Sequence, residues 1–281
     1  MSEQAVSPAA AAAEPAPAPG SAPAPAPRPP RRVLRAVGRW AVAGAVFAGL
    51  GTGVAYGVNG MERTDVPGLS TRGDGRWDYP RLSLPALPAG SPRPFNPDNA
   101  GEIHHADLRA LLLGAPAGAT PDRKLTGGWV STERYVSEYA AEQRGDLTTL
   151  LRDYAVRHIA ARGWTMPDGT VSKVYLLRFP SSGLAVGFKH DALALGSGAG
   201  ASLATAPGTD LDESWPDAPP GAELFVSTNV YVESEPYGAT RARYAYVAAG
   251  DTLGLIVHER KGSAPAVPFH QTVVLQSQLL G

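Results

Sequence analysis

The longest uninterrupted run of uncharged, mainly apolar positions extends from Trp40 to Val58. Its nineteen residues, at 1.5 Å of rise each, make a helix of about 28 Å, close to the roughly 30 Å hydrocarbon thickness of a bilayer. Trp40 and Tyr56 lie near the two ends, where amphipathic aromatic side chains prefer the membrane interface. The pattern predicts one transmembrane helix over 40–58.

Beyond this span, the spacing of apolar positions alternates between helical and strand-like periods. The pattern predicts helices over 107–113, 131–142, 146–162, 184–195 and 268–280. In the third and strongest, Asp146 is placed as the N-cap and Gly163 as the C-terminal glycine. Runs rich in β-branched and aromatic residues predict strands over 171–179, 223–233, 241–249 and 252–259.

The order of these elements predicts the fold class. Gly250 and Asp251 separate the last two strands and are typical of a hairpin turn. A helix, a strand, a helix, three consecutive strands and a closing helix favour an α+β fold over 102–281. We expect a mainly antiparallel sheet with helices packed on one face.

The first thirty residues contain nine Pro and eleven Ala, a composition that buries too little apolar surface to fold. We expect 1–39 to be a disordered cytoplasmic tail, and its Pro-Ala runs could adopt polyproline II geometry for a partner. Residues 59–101 are rich in Pro, Gly, Arg and Asp and are interpreted as a stalk. Part of this stretch, 78–95, could still pack against the domain.

The basic residues before the span predict its orientation. Five Arg lie in 1–39, against Arg63, Arg72 and Arg76 shortly after the span. More positive charge on the N-terminal side places that side in the cytoplasm and the C-terminal domain outside the plasma membrane. A cleaved signal peptide or a twin-arginine signal are the alternatives, although the leading region is long for either. An uncleaved signal-anchor is therefore the interpretation adopted.

Small residues recur every four positions along the span, so that they share one helix face: Ala41, Ala45, Gly49, Gly53 and Gly57. Such a face lets two membrane helices approach closely. We expect Ala45, Gly49, Gly53 and Gly57 to support a homodimer, although an Ala- and Gly-rich span also produces this spacing by chance.

Charge and cysteine content narrow the function classes. Residues 40–281 carry 20 basic and 24 acidic side chains, a formal net charge of −4, which argues against nucleic acid as a partner. The absence of Cys excludes disulfides, thiolate metal sites and a lipidated cysteine anchor. We therefore expect the lipid bilayer and an unidentified envelope ligand or protein as partners, and no cofactor.

The chain contains none of the nucleophile-elbow, Ser-x-x-Lys, His-Glu-x-x-His or Walker motifs. His104, His105 and Asp107 form a clustered metal-capable group, but adjacent helical histidines point about 100° apart. His158 falls on the apolar face of the predicted helix 146–162, as a core residue or as a group that titrates near neutral pH. No catalytic, cofactor or metal residue is assigned.

Other candidates are weaker. The acidic run of Asp210, Asp212, Glu213 and Asp217 around Trp215 lacks the glycine turn of a calcium loop. The pair His190–Asp191 near Ser181 and Ser182 does not by itself make a triad. The glycines of 196–200 miss dinucleotide-binding spacing, and Arg72-Gly73-Asp74 is an adhesion tripeptide that recurs by chance.

The Pro-rich tail, the span, the run from Gly250 to Val257 and the Gln-containing helix 271–280 together resemble actinobacterial extracytoplasmic sensor-like domains. These include outer domains of some serine/threonine kinases and related envelope lipoproteins. The chain departs from them in having neither a kinase domain nor a lipidation cysteine. The resemblance implies a non-catalytic binding or sensor-like module.

Two other functions stay open at this point. One is an envelope hydrolase that uses His158 or His104 with a carboxylate, which requires one of these histidines beside an acid in a cleft. The other is a structural or assembly protein that acts through its membrane helix.

Overall fold

The computed structural model describes residues 31–60, 73–193, 200–215 and 225–281. The chain divides into two compact units, Met1–Ser70 and Thr71–Gly281. In the first unit, the described residues form one helix, α1 (Arg31–Gly60). Its segment Arg35–Val54 is long and apolar enough to cross a membrane. Residues 1–30 of the tail that is predicted to be disordered lie outside the described residues. Its last nine residues, 31–39, belong to α1.

The second unit is built on a seven-stranded antiparallel sheet, which confirms the α+β class. The strands follow the spatial order β1-β2-β3-β7-β6-β5-β4. Their bounds are β1 Thr120–Trp129, β2 His158–Thr165, β3 Val171–Arg178, β4 Thr209–Leu211, β5 Val226–Glu233, β6 Thr240–Ala249 and β7 Thr252–Lys261.

Helices cover both faces of this sheet, whereas the sequence predicts helices on one face only. On one face lie α2 (Thr132–Val136), α3 (Arg144–Asp153) and α4 (Ser182–Leu193). The other face carries α5 (Ala266–Leu280) and the short 3-10 helix Leu108–Leu111. A second 3-10 helix, Ala141–Gln143, precedes α3.

Alternation along the central strands explains the two layers. In β3, Tyr175 and Leu177 enter the first cluster, whereas Val174 and Leu176 enter the second. Successive side chains of a strand point to opposite faces, and all four are fully buried. The four residues 174–177 are apolar in succession, so this part of the strand carries no alternating signal that would tell one covered face from two.

The predicted helix over 146–162 is wrong in its second half. Helix α3 ends at Asp153, and Ala155 adopts a left-handed backbone with φ of 54°. The N–H groups of Ala155 and Val156 donate to the carbonyls of Arg152 and Leu151, both at 2.9 Å, which is the Schellman pattern. Ala155, and not Gly163, thus occupies the position that usually selects glycine, and 158–165 form β2.

Further elements differ from the sequence expectation: strand β4 was not predicted, and the helix predicted over 107–113 is the short 3-10 helix Leu108–Leu111. The polar edge strand β1 was not predicted, and it pairs with β2 through two register shifts. The helix predicted over 131–142 shortens to α2, which is capped by Ser131 Oγ accepting from Arg134 N at 3.3 Å. Strands β3, β5, β6 and β7 and helices α4 and α5 are where the sequence predicts them, with bounds shifted by a few residues.

Residues 73–101, the described part of the predicted stalk, belong to the second unit and pack against the rest of it. Trp77, Tyr79, Leu87 and Phe95 contact the apolar cluster under α5. This segment belongs to the domain and supplies one side of the candidate site.

Candidate functional site

An apolar cavity of about 420 Å³ lies on the face of the sheet that carries α5. Its walls come from three separate parts of the chain, the segment 84–97, residues 104–111 and the C-terminal end of α5, with Phe225 adding a side chain before β5. Phe95 and Phe225 face each other with ring centroids 4.9 Å apart. The cavity-lining residues include Leu84, Leu87, Phe95, Ala106, Leu111, Phe225, Leu279 and Leu280.

His104 lies at the wall of this cavity, and its side chain is almost fully buried. Its Nδ1 lies 2.8 Å from Asp251 Oδ1, and its Nε2 lies 2.8 Å from the carbonyl oxygen of Leu280. A backbone carbonyl only accepts hydrogen bonds, so Nε2 is the donor in that contact. The imidazole therefore ties the β6–β7 turn to the end of α5.

Asp251 is the centre of this junction. Its Oδ1 accepts from His104 N at 3.1 Å and from Thr252 Oγ1 at 3.0 Å, and Arg178 Nε lies 3.8 Å from Oδ2. The preceding Gly250 has φ of 49°, and a Cβ there would collide with the carbonyl of Glu102. The hairpin turn predicted from Gly250 and Asp251 thus packs directly against the chain segment that leads to His104.

These contacts decide what the His104–Asp251 pair can do chemically. A general base needs a ring nitrogen directed at the substrate, but both nitrogens of His104 are occupied. Among the described residues, the cavity lining contains no Ser, Thr or Lys side chain that could act as a nucleophile. The pair therefore holds the cavity wall in place, and neither ring nitrogen of His104 is free to act as a general base.

Two glutamines of α5 hold segments that pack on the same face of the sheet as the cavity. Gln276 Oε1 accepts from Leu113 N and its Nε2 donates to Leu111 O, each at 2.9 Å. Gln271 makes the same pair of hydrogen bonds to the backbone of Trp77. Its Oε1 accepts from Trp77 N at 2.8 Å and its Nε2 donates to Trp77 O at 2.9 Å. Each amide satisfies one backbone donor and one acceptor, so α5 fixes both segments without a strand pairing.

Trp77 also covers a buried histidine. Its ring stacks on His258 with centroids 5.0 Å apart and planes 19° apart, and Phe269 meets the same imidazole edge-on at 5.2 Å. Tyr79 lies edge-on to Trp164 at 6.3 Å and its hydroxyl contacts Thr272 Oγ1 at 2.7 Å. Burial raises the pKa of the Tyr79 phenol, so this hydroxyl stays neutral.

The structure moves His158 away from the core position expected from sequence. The residue opens strand β2 with an exposed side chain, and its imidazole lies against Trp129 at a centroid distance of 5.0 Å. The guanidinium of Arg109 lies over the Trp129 ring, 4.9 Å from its centroid. His158 is therefore a surface aromatic contact, and the prediction of a helical core histidine is wrong.

The candidate metal group is separated by the fold. His104 is buried against Asp251, His105 is exposed, and Asp107 pairs with Arg109 Nη2 at 2.5 Å. Hydrogen bonds from the side chain and backbone of Arg109 lower the pKa of Asp107 to about 2. Within the described ranges, no group of three His, Cys, Asp or Glu residues could hold a metal ion.

Within the acidic run, Asp212 contacts three other side chains. Asp212 accepts from Ser214 Oγ at 2.5 Å, lies 3.0 Å from His270 Nε2, and forms an ion pair with Arg243. Burial alone would raise the pKa of Asp212, but these partners outweigh it and the pKa is lowered. Trp215 packs edge-on against His270 at 5.2 Å, and Asp217 lies outside the described residues.

The remaining sequence candidates occupy surface or undescribed positions. His190 Nδ1 lies 3.0 Å from Asp191 Oδ1 with both side chains largely exposed, and Asp191 accepts from Tyr154. Ser181 O accepts from Ala185 N at 3.1 Å at the start of α4, so these residues form no triad. Positions 196–199 of the glycine-rich loop and Arg72 lie outside the described residues.

The small residues of the span lie on helix α1. Ala45, Gly49 and Gly53 are exposed, and a Cβ added at either glycine would meet no atom within 4 Å. Gly57 belongs to the same helix. The expected self-association through this face stays a prediction.

The fold was compared with those of solved protein structures. The chain is similar to the extracellular domain of PknH from Mycobacterium tuberculosis, with a TM-score of 0.37 and 11% identity over 61% of this chain and 93% of that chain. At this level the similarity extends to no particular residue of the cavity. No family model and no curated protein matches the chain.

Sequence reasoning missed the cavity because its walls are far apart along the chain. His104 and the Gly250–Asp251 turn were each noted, but their 147-residue separation gave no sign that they meet. The Gln-containing helix was noted as part of a resemblance, and its glutamines prove to be the anchors of segments on the same face of the sheet as the cavity.

Proposed function

We propose that this chain is a membrane-anchored, extracytoplasmic binding module of the cell envelope, and that its ligand occupies the apolar cavity. The observation that carries the proposal is the cavity itself, about 420 Å³ with mainly apolar walls. Ligand sites are typically concave, apolar and of a few hundred Å³, with a small number of polar groups that fix orientation.

The route from α1 to the cavity supports a sensor-like role. Residues 84–97 follow the membrane segment in sequence and form one wall, while Gln271 holds Trp77, which lies between the two along the chain. A ligand that contacts Phe95 would stabilise the docked arrangement of this segment, because binding favours the conformation that it contacts. The docked segment would then transmit the presence of a bound ligand toward the membrane helix.

The occupied nitrogens of His104 favour this proposal over the hydrolase alternative. A role in assembly through α1 is compatible with ligand binding, because the two use different parts of the chain.

A reporter at the cavity tests the proposal directly. Leu84 lines the cavity and is 42% exposed, and the chain has no Cys, so Leu84→Cys can be labelled with a polarity-sensitive dye. We expect naphthalene, added to the full chain in phosphatidylcholine nanodiscs, to change the dye emission saturably. Filling the space with Ala106→Phe should weaken this response.

The matched control is the same dye at Val186→Cys, on α4, which is exposed and lies outside the cavity lining. Equal responses at the two positions, or a linear response without saturation, would contradict a binding site in the cavity. If Ala106→Phe does not fold, Leu111→Phe offers a second filling variant at another lining position.

A further inference from the structure

The ionisable side chains on the cavity walls all belong to basic residues. Among the described residues, the ionisable side chains of the lining are Arg93, His104 and His105, and none is acidic. Residues 40–281 carry more acidic than basic side chains, so composition alone would favour the opposite sign. With His104 committed to Asp251, Arg93 and His105 remain as the exposed basic groups of the lining.

Arg93 is available to a ligand. Its backbone carbonyl accepts from Asn96 N at 3.2 Å and from Asn99 Nδ2 at 3.0 Å, which fixes the main chain at this position. Its guanidinium forms neither an ion pair nor a hydrogen bond with any described residue. Arg109, by contrast, is paired with Asp107. An arginine that is held by its backbone and has a free side chain is suited to binding a carboxylate or phosphate.

The size of the cavity suits one apolar chain. About 420 Å³ corresponds to roughly fourteen groups of the size of a water molecule at about 30 Å³ each, and a methylene group is of similar size. Leu84, Leu111 and Leu279 present only hydrocarbon to such a chain.

We infer that the ligand is a single-chain amphiphile with an anionic head, whose hydrocarbon chain fills the apolar cavity and whose head contacts Arg93 and His105. This inference rests on the proposed function and specifies the class of ligand. A fatty acid and a lysophospholipid both have this chemistry. A neutral or cationic amphiphile of equal length lacks the contact with Arg93.

Amphiphiles that differ only in the head test the inference. Full-length Leu84→Cys protein, dye-labelled in phosphatidylcholine nanodiscs, is titrated with myristate, myristyl alcohol and myristyltrimethylammonium. We expect myristate to half-saturate the response at a concentration about tenfold lower than the alcohol, the effect of one hydrogen-bonded charge contact. Lysophosphatidylglycerol with the same chain separates a lysolipid from a free acid, and saturation by either supports the inference.

Variants locate the preference. Replacing both Arg93 and His105 by Gln should bring myristate to the affinity of the alcohol. Arg81→Gln should preserve the preference, because Arg81 is an exposed arginine that precedes the segment 84–97 and lies outside the lining. The dye at Val186→Cys corrects for partition into the lipid. Equal binding of all three amphiphiles overturns the anionic class but leaves the apolar site, whereas no saturable binding by any apolar probe overturns both.

Discussion

His258 shows how a single buried residue couples this fold to pH. Its imidazole is completely buried between Trp77 and Phe269, and neither ring nitrogen has a hydrogen-bond partner among the described residues. Burial lowers its pKa from 6.5 to about 3, against a smaller opposing effect of the Asp168 charge. The folded protein therefore keeps His258 neutral under conditions in which the unfolded chain binds a proton.

The sign of the effect follows from these values. Above pH 6.5 the group is neutral in both states, so it adds no pH dependence. Between 6.5 and about 3 only the unfolded state is protonated, and stability falls as pH falls. We expect His258 to remove about 2 kcal/mol from the free energy of unfolding between pH 7 and pH 5, from roughly 1.4 kcal/mol per pH unit.

The substitution His258→Phe tests this prediction, because it keeps an aromatic ring against Trp77 and removes the titrating group. Chemical denaturation at pH 8, 7, 6 and 5 gives the free energy of unfolding of both proteins. The difference between them should be constant from pH 8 to 7 and should shift in favour of the variant below pH 6.5. Parallel profiles down to pH 5 would show that His258 is not the source.

At the scale of elements, helix α5 organises the domain through its glutamines. Gln276 is fully buried and satisfies the Leu113 N–H and the Leu111 carbonyl. Removing its amide leaves two backbone groups without partners, and a buried unsatisfied group costs about 1–3 kcal/mol. We expect Gln276→Ala to lower the free energy of unfolding by about 2–4 kcal/mol, counting both groups and the lost packing.

Gln278 offers a matched control on the same helix because its side chain is exposed. Gln278→Ala should change the free energy of unfolding by less than about 0.5 kcal/mol. Hydrogen exchange adds a local readout, since the amide of Leu113 should lose protection in Gln276→Ala alone. Similar losses in both variants would mean that helix propensity, and not the bridging amide, sets the stability.

The elements also show what the sequence can and cannot predict. Strands β6 and β7 were predicted because their apolar runs are bounded by the Gly250–Asp251 turn, and the register confirms it with Ala249 paired to Thr252. Strand β2 was taken for the end of a helix because it is buried on both faces and therefore lacks alternation. The true helix end carries Ala155 in a left-handed conformation, a position where sequence rules look for glycine.

The candidate site was harder to predict than the fold. Each local signal near it was weak, and the cavity exists only once 84–97, 104–111 and the end of α5 meet. The spacing of apolar residues along the chain does not predict a contact between residues so far apart in sequence. His158 illustrates the converse, since a false helical period gave it a core position that the strand assignment removes.

For the whole molecule, the proposed function depends on the side of the membrane on which the cavity lies. The basic residues among positions 1–39, before the apolar span, favour a cytoplasmic N-terminus. The chain has no Cys, so single cysteines report topology without background. Ser277 is a poor reporter because its hydroxyl is buried, whereas Gln278 is exposed.

We therefore expect a membrane-impermeant maleimide to label Gln278→Cys in intact cells, and to label Ser7→Cys only after the cells are permeabilised. The fraction labelled is measured by the mass shift of the purified chain, with each variant fully labelled in detergent as the reference. Both cysteines labelled only after permeabilisation would place the cavity inside the cell. Labelling of Ser7→Cys alone in intact cells would reverse the orientation, and in either case the amphiphiles that reach the cavity would come from the cytoplasmic side.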